Sequence, residues 1–180
     1  MAVKQFNLRN GQRAERKLLV TVAEWTEPAE GTTGDEIVRE LLGVRTEDSA
    51  IEYNADIQDS TDILGNNYTD VNKTQPSQSF DPFLVLGGSR LGAYLNDIRR
   101  RNALSELTGA FNIYVITAFI GSEADGYEAE MHEESTITYD SIGGDANVNF
   151  PITVHFSNKI KTGKVNKIAA DFDFTEDVTI

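Results

Sequence analysis

The chain has 180 residues, of which 39% are hydrophobic and 25% are charged, and its formal net charge is −13. This length and composition predict one globular domain with a buried core, spanning residues 1–180. The absence of cysteine excludes disulfide scaffolding, thiolate metal sites and a cysteine nucleophile. The acidity disfavours wrapping of nucleic acid, because affinity for phosphates comes mainly from Lys and Arg.

The first 16 residues show no sustained period and predict an N-terminal arm. Its basic side chains suit an anionic partner or an acidic neighbouring subunit. We expect neither a secretory signal nor a membrane anchor, because the longest apolar run, residues 113–120, is too short to cross a bilayer. Residues 17–25, rich in β-branched side chains, predict the first strand. Residues 37–44 fit a strand or a short helix, and we favour the strand.

Residues 43–75 predict a loop or hairpin that projects from the body. Ile51 and Tyr53 alternate with polar neighbours, as in a half-solvated strand. Further on, Ile63 and Leu64 precede a Gly-Asn-Asn sequence that Tyr68 follows, and glycine and asparagine tolerate the positive φ of tight hairpin turns. A long polar segment with strand periodicity is typical of a functional element that pairs with a partner.

One helix is predicted over residues 90–107. Ser89 has the chemistry of an N-cap, and Leu91, Tyr94, Leu95 and Ile98 form an apolar stripe at helical spacing. Gly109 is the expected helix end. The remaining chain predicts strands at residues 111–120, 127–139, 147–156 and 164–174, with the first buried on both faces. The predicted fold is mainly β: a β-sandwich or small barrel with one flanking α-helix.

Acidic side chains gather on two of these strands. Alternation places Glu128, Glu130, His132 and Glu134 on one face, with Ala129 and Ile137 on the other. On the last strand, Asp171 and Asp173 oppose two phenylalanines. Two interpretations stand: a solvated outer surface, or a negative wall that keeps a polyanion from sticking to a channel.

Catalysis is not expected. Glu128 and Glu130 would lie about 7 Å apart on a strand, without a cleft that would make them a hydrolytic pair. The two histidines, His132 and His155, lack metal-ligand spacing, and the Gly87-Gly88 sequence lacks the pattern of a phosphate-binding loop. We therefore expect no enzyme activity, no cofactor and no metal.

Several sequence pieces also resemble a known family, the major tail tube proteins of long-tailed (siphovirus-type) bacteriophages and related prophages. Their order and spacing carry the resemblance, which runs from about residue 17 to about residue 174. The pieces are GVRTED (43–48), IEYN (51–54), TDILG (61–65), YTDV (68–71), SFDPF (79–83), GYEAE (126–130) and SIGGDA (141–146).

The resemblance implies a phage tail tube-like fold and a structural virion protein. Such proteins form hexameric rings that stack into a hollow tube, the conduit for DNA ejection, through which DNA passes without specific binding. It also implies tail tip (initiator), tape measure and tail terminator proteins as partners, assembly in the bacterial host cytoplasm and a final place in the virion tail. Residues 1–16 would order on assembly, and residues 43–75 would contact the neighbouring ring.

The implied contact residues are Arg45, Glu47, Ile51, Tyr53, Ile63, Leu64 and Tyr68. The candidates for lining the lumen are Glu128, Glu130, Glu134, Asp171 and Asp173. Two alternatives remain open at this level. One is the inner tube of a contractile machine, such as a contractile phage tail, a tailocin or a type VI secretion system. The other is an acidic ligand-binding β-sandwich.

Overall fold

The structure is a computed structural model that describes residues 5–28, 34–46 and 48–177. Its strands are β1 (Leu19–Pro28), β2 (Asp35–Leu41), β3 (Ile51–Glu52), β4 (Asp56–Thr61), β5 (Asn67–Lys73), β6 (Ser77–Phe80), β7 (Phe111–Ser122), β8 (Gly126–Tyr139), β9 (Ile152–His155), β10 (Ile160–Val165) and β11 (Phe174–Glu176). One α-helix, α1 (Arg90–Arg101), and two 3-10 turns, Arg16–Leu18 and Leu104–Leu107, complete the elements. The predicted fold class, mainly β with one flanking helix, is confirmed.

Nine of these strands form one antiparallel sheet in the order β2-β1-β7-β8-β9-β6-β3, with β10 and β11 branching from β8. The long strand β8 connects the β10–β11 branch to the strands β9, β6 and β3, because its first half pairs with β10 and its second half pairs with β9. The path begins at β2 and ends at β3, so the sheet does not close into a barrel. Strands β4 and β5 pair only with each other, as a separate two-stranded sheet.

Both faces of the central strands are covered by apolar side chains. On one face, helix α1 lays Leu95 and Ile98 against Trp25 and Phe111, which form the larger core with residues of β6 and β9. On the other face, residues of β1, β7 and β8 pack against Phe172 in a smaller core. Alternate residues of β7 belong to different cores, which confirms the prediction that this strand is buried on both faces.

Helix α1 begins and ends through specific caps. Ser89 accepts a hydrogen bond from the amide of Gly92 at 3.1 Å, so the predicted N-cap is confirmed. Glu40 of β2 adds a second cap, because its carboxylate accepts from the Leu91 amide at 3.0 Å and from the Ser89 hydroxyl at 2.7 Å. The helix ends at Asn102, which adopts a left-handed conformation. The prediction that Gly109 ends the helix was wrong. Asn102 takes that position, because asparagine, like glycine, tolerates the left-handed backbone conformation of a helix end.

Strand β8 breaks its alternation, contrary to the sequence prediction. Glu134 has φ +55°, and between His132 and Ser135 two residues of β8 oppose one residue of β7, which is a bulge. Side chains beyond the bulge therefore switch faces. Ile137 belongs to the larger core whereas Ala129 belongs to the smaller one, so the prediction that they share a face was wrong.

The C-terminal part also differs from the predicted single strand over residues 164–174. Strand β10 begins earlier, and the chain then bends between β10 and β11, which pair as an antiparallel hairpin. Asp171 and Asp173 lie in this bend and not on a strand. Pro151 directly precedes β9, which is an interior strand between β8 and β6.

Candidate assembly surfaces

The most exposed element of the described chain is the projecting hairpin, defined here as β4, β5 and the turn between them. All six residues of β4 are exposed, and the hairpin forms its own sheet. Its base is tied to the body by Asn54, whose side-chain amide donates to the Gln75 carbonyl at 3.0 Å and to the Ser77 hydroxyl at 3.1 Å. The hairpin therefore stands on the body without being covered by it.

The hairpin tip is organised by Asp62. One carboxylate oxygen accepts from the amides of Leu64 and Asn66, at 2.8 and 2.9 Å. The other accepts from the Asn66 side chain and the Tyr68 hydroxyl, both at 2.9 Å. These hydrogen bonds, those from Asn66 above all, lower the pKa of Asp62 to about 2. Gly65 supplies a φ of +84° in the same turn, so the tip is held in one shape by local bonds.

The turn presents apolar side chains to solvent. Ile63 is fully exposed and Leu64 is 81% exposed, which places these two predicted contact residues side by side at the tip. Tyr68, also predicted, is half exposed beside them. Two further apolar residues of the hairpin, Ile57 and Val71, were not among the predicted contact residues. They face each other across the hairpin and are both exposed. Their alternation with polar residues was the signal that could have found them.

The other predicted contact residues lie away from the tip. Arg45 is exposed in a turn after β2, with φ +63°. Ile51, in β3, is partly buried against the larger core, whereas Tyr53 is 61% exposed. Glu47 lies outside the described residues. The structure thus brings together Ile63, Leu64 and Tyr68 and separates them from the rest.

A groove runs along the sheet beside the N-terminal arm, and we name it the arm groove. It encloses about 480 Å³, and its lining includes Arg16, Leu19, Ile51, Tyr53, Val115 and Phe119. The arm is anchored at both ends of this region. Phe6 packs edge-on against Phe119 at 5.4 Å, and the Asn7 amide donates to the Phe119 carbonyl at 2.9 Å. At the other end, Arg16 donates to the Ser49 carbonyl at 2.7 Å.

The five candidate lumen residues do not share one face. Glu128 and Glu130 are two residues apart on β8, where Lys164 of β10 lies opposite Glu128. Glu134 sits at the bulge and forms an ion pair with Lys159. In the C-terminal bend, Asp171 pairs with Lys167 at 2.5 Å, which lowers the pKa of Asp171, and Asp173 accepts from the side chain of Asn166 at 2.8 Å. Their role in lining a lumen stays a prediction.

His132 is buried, although the sequence placed it on a polar face. Its Nδ1 donates to the Ser157 carbonyl at 3.0 Å, and its ring packs edge-on against Phe156 at 4.8 Å. The Nε2 atom lies 3.7 Å from Glu130, and this contact lowers the pKa of the Glu130 carboxyl. The histidine is thus a satisfied part of the packing that also orients one acidic side chain.

A second buried polar cluster fastens the C-terminal segment to the sheet. Glu24, on β1, accepts from Arg39 at 2.6 Å and from Asn112 at 2.9 Å. Arg39 also donates to the Phe172 carbonyl at 2.6 Å and stacks over the Phe172 ring at 4.6 Å. The Tyr114 hydroxyl lies 3.2 Å from Glu24, and burial raises the pKa of this tyrosine to about 12. This cluster ties β1, β2 and β7 to the C-terminal segment.

Among residues 5–28, 34–46 and 48–177, no group of three or more His, Cys, Asp or Glu side chains is arranged to hold a metal ion. In the same part of the chain, no helix is long and apolar enough to span a membrane.

Comparison with known proteins finds a likeness to a solved structure. No family model matches the sequence, and no curated protein matches it. The solved structure is a chain of the baseplate of the anti-feeding prophage, determined by cryo-electron microscopy with six-fold symmetrisation. The match has a TM-score of 0.44 and 10% identity, and it covers 89% of this chain and 100% of that one. The likeness is distant, so the role of this chain has to come from its own residues and surfaces.

Proposed function

We propose that this chain is a structural subunit that self-assembles into a phage-type tail tube, as hexameric rings that stack on one another. The observation that carries this proposal is the projecting hairpin, whose strand β4 is entirely exposed and whose tip presents Ile63 and Leu64 to solvent. The ring, the lumen and the place in the virion tail are what the resemblance to tail tube proteins implies.

An exposed hairpin of this kind fits an assembly element better than a free loop. A two-stranded hairpin is marginally stable alone in water, and adjacent exposed apolar side chains mark an interaction site more often than a neutral surface. Here the turn is also fixed by the four hydrogen bonds that Asp62 accepts. Fixing the tip before contact lowers the entropy lost on binding.

The acidic surface is consistent with a conduit. The chain carries a formal net charge of −13, and like charge repels a passing polyanion and reduces its adhesion. Of Glu128 and Glu130 on β8, Glu130 lines the arm groove, so Glu128 is the better candidate for a lumen wall. Glu134, Asp171 and Asp173 form bonds to neighbouring side chains, which weakens their field.

The test is assembly by purified protein, viewed by negative-stain electron microscopy at high concentration. We expect rings or hollow tubes from the wild type and none from the variant Ile63→Asp/Leu64→Asp, because a charge at the tip would have to be buried. The free energy of unfolding should change by less than about 0.5 kcal/mol, since both side chains are exposed.

The matched control is Leu104→Asp/Val148→Asp, which places two charges at exposed apolar positions of the body. This control should still form tubes. A hairpin variant that assembles normally would show that the tip is not a contact. Wild-type protein that stays monomeric and does not add to purified tail-tip complexes would contradict the tube proposal itself.

A further inference from the structure

We propose that the arm groove of one copy receives the tip of the projecting hairpin from a second copy, with the basic arm pairing with the acidic hairpin. This inference rests on the proposed function and names the surface that accepts the hairpin. The occupant is a second copy because the tip does not use the groove of its own chain, as the full exposure of Ile63 shows.

The apolar surfaces match. The tip offers Ile63 and Leu64, and the wall of the arm groove includes Leu19, Val115 and Phe119. Its volume of about 480 Å³ lies in the range of roughly 300–1,000 Å³ that is typical of pockets for ligand-sized groups. Burying two aliphatic side chains from a second molecule there removes apolar surface from water on both partners, which favours association.

The charges are complementary. The projecting hairpin, residues 56–73, carries four aspartates and one lysine, Lys73, whereas the arm carries Arg9, Arg13 and Arg16. The one carboxylate of the arm, Glu15, already pairs with Lys17. Among the ion pairs of the described chain, none involves these three arginines or the hairpin aspartates. Opposite charges left unpaired within one copy steer the encounter of two copies.

The groove also contains two carboxylates, Asp48 and Glu130. Glu130 is contacted by His132 at 3.7 Å, and Arg16 lines the same groove. The arm carries its charge at the side of the groove, since Phe6 and Asn7 anchor it at Phe119 and Arg16 anchors it at Ser49. In the proposed contact, the apolar tip therefore packs against the apolar wall of the arm groove, and the hairpin strands lie beside the arginines of the arm.

The contact would join different surfaces of two identical chains. Such a head-to-tail contact leaves unused tips at one end and unused grooves at the other end of any assembly that does not close on itself. Repetition then adds copies in one direction, as stacked rings require.

The absence of native cysteine allows a direct test by disulfide trapping. The variants Leu64→Cys, at the tip, and Ala50→Cys, at an exposed position in the groove lining, are prepared separately, mixed and oxidised under assembly conditions. We expect a covalent dimer from the mixture that neither variant gives alone, because a disulfide requires Cβ atoms about 3.5–4.5 Å apart. Arg100→Cys, exposed on helix α1, replaces Ala50→Cys in the control mixture and should give no such dimer.

A charge exchange gives the second measurement. Arg9→Glu/Arg13→Glu and Asp56→Lys/Asp70→Lys should each abolish tubes, and the chain that combines all four changes should form them again. Arg99→Glu/Arg100→Glu, with the same change of charge on helix α1, should leave tubes intact. Tubes without the disulfide dimer, or without rescue by the combined variant, overturn the groove assignment and leave the tube proposal standing. Wild-type protein that forms no tubes and does not add to purified tail-tip complexes overturns both.

Discussion

The body and the projecting hairpin are stabilised in different ways. In the body, Phe111 is completely buried and touches Trp25 and Tyr94 at ring-centroid distances of 6.2 and 6.1 Å. In the hairpin, strand β4 is entirely exposed, and the turn is held by hydrogen bonds within six residues of Asp62. Two properties therefore belong to different regions: the body provides the stability of the fold, and the hairpin provides the surface for contact with other chains.

The largest expected effect comes from the body. Phe111→Ala should lower the free energy of unfolding by about 3–5 kcal/mol, because it leaves a cavity between helix α1 and the sheet. Ile63→Ala, at the hairpin tip, should change it by less than about 0.5 kcal/mol. Urea denaturation followed by tryptophan fluorescence measures both, since the single tryptophan, Trp25, lies beside Phe111. Equal losses from the two variants would remove the distinction between the regions.

A smaller effect is expected where helix α1 joins the body. Glu40→Ala removes the acceptor of the Leu91 amide and should cost about 1 kcal/mol, as the loss of a helix cap does. Glu40→Gln keeps the acceptor oxygen without the charge and should cost less. Thermal unfolding by circular dichroism gives the comparison. If both variants unfold like the wild type, Ser89 alone suffices as the cap.

The smallest effect is local and depends on pH. The pKa of Asp62 is about 2 in the folded hairpin against an ordinary value of 3.8, so the folded turn favours the carboxylate. Its contribution is present above pH 4 and is lost as the pH falls through about 2. NMR shifts of the Leu64 and Asn66 amides should follow this titration. In Asp62→Asn they should not change over that pH range, and a wild-type midpoint near 4 would contradict the tight turn.

Much of the fold could be predicted from local patterns. A continuous apolar run located β7, alternating apolar residues located β8, and the apolar stripe with Ser89 located helix α1, because burial and capping leave a direct mark on the sequence. The bulge at Glu134 could not be predicted, since glutamate is not a residue that prefers φ +55°. Tertiary pairing imposes that conformation: Phe111 must meet Ser135 while Ile113 meets His132.

The candidate site was predicted in part. The Gly-Asn sequence and the flanking apolar residues predicted a hairpin with Ile63 and Leu64 near its tip, and the structure places them there. The arm groove was invisible, because it joins Phe119, Leu19 and Ile51 from distant parts of the chain. The sequence pattern predicts a strand where Asp171 lies in a bend, because Phe172 and Phe174 alternate with polar residues and pack in the smaller core.

The sheet order has a consequence for the time course of folding during synthesis. Strand β1 pairs with β7, and Leu19 lies opposite Thr117, so the first strand must wait until roughly a hundred further residues have left the ribosome. Contacts between distant residues form slowly, because the chain loses the entropy of loop closure before the contacts stabilise it. The projecting hairpin needs no distant partner and can close in about 1–10 μs. The projecting hairpin can therefore close before the body has folded, but because an isolated hairpin is only marginally stable, the folded body is what keeps it formed.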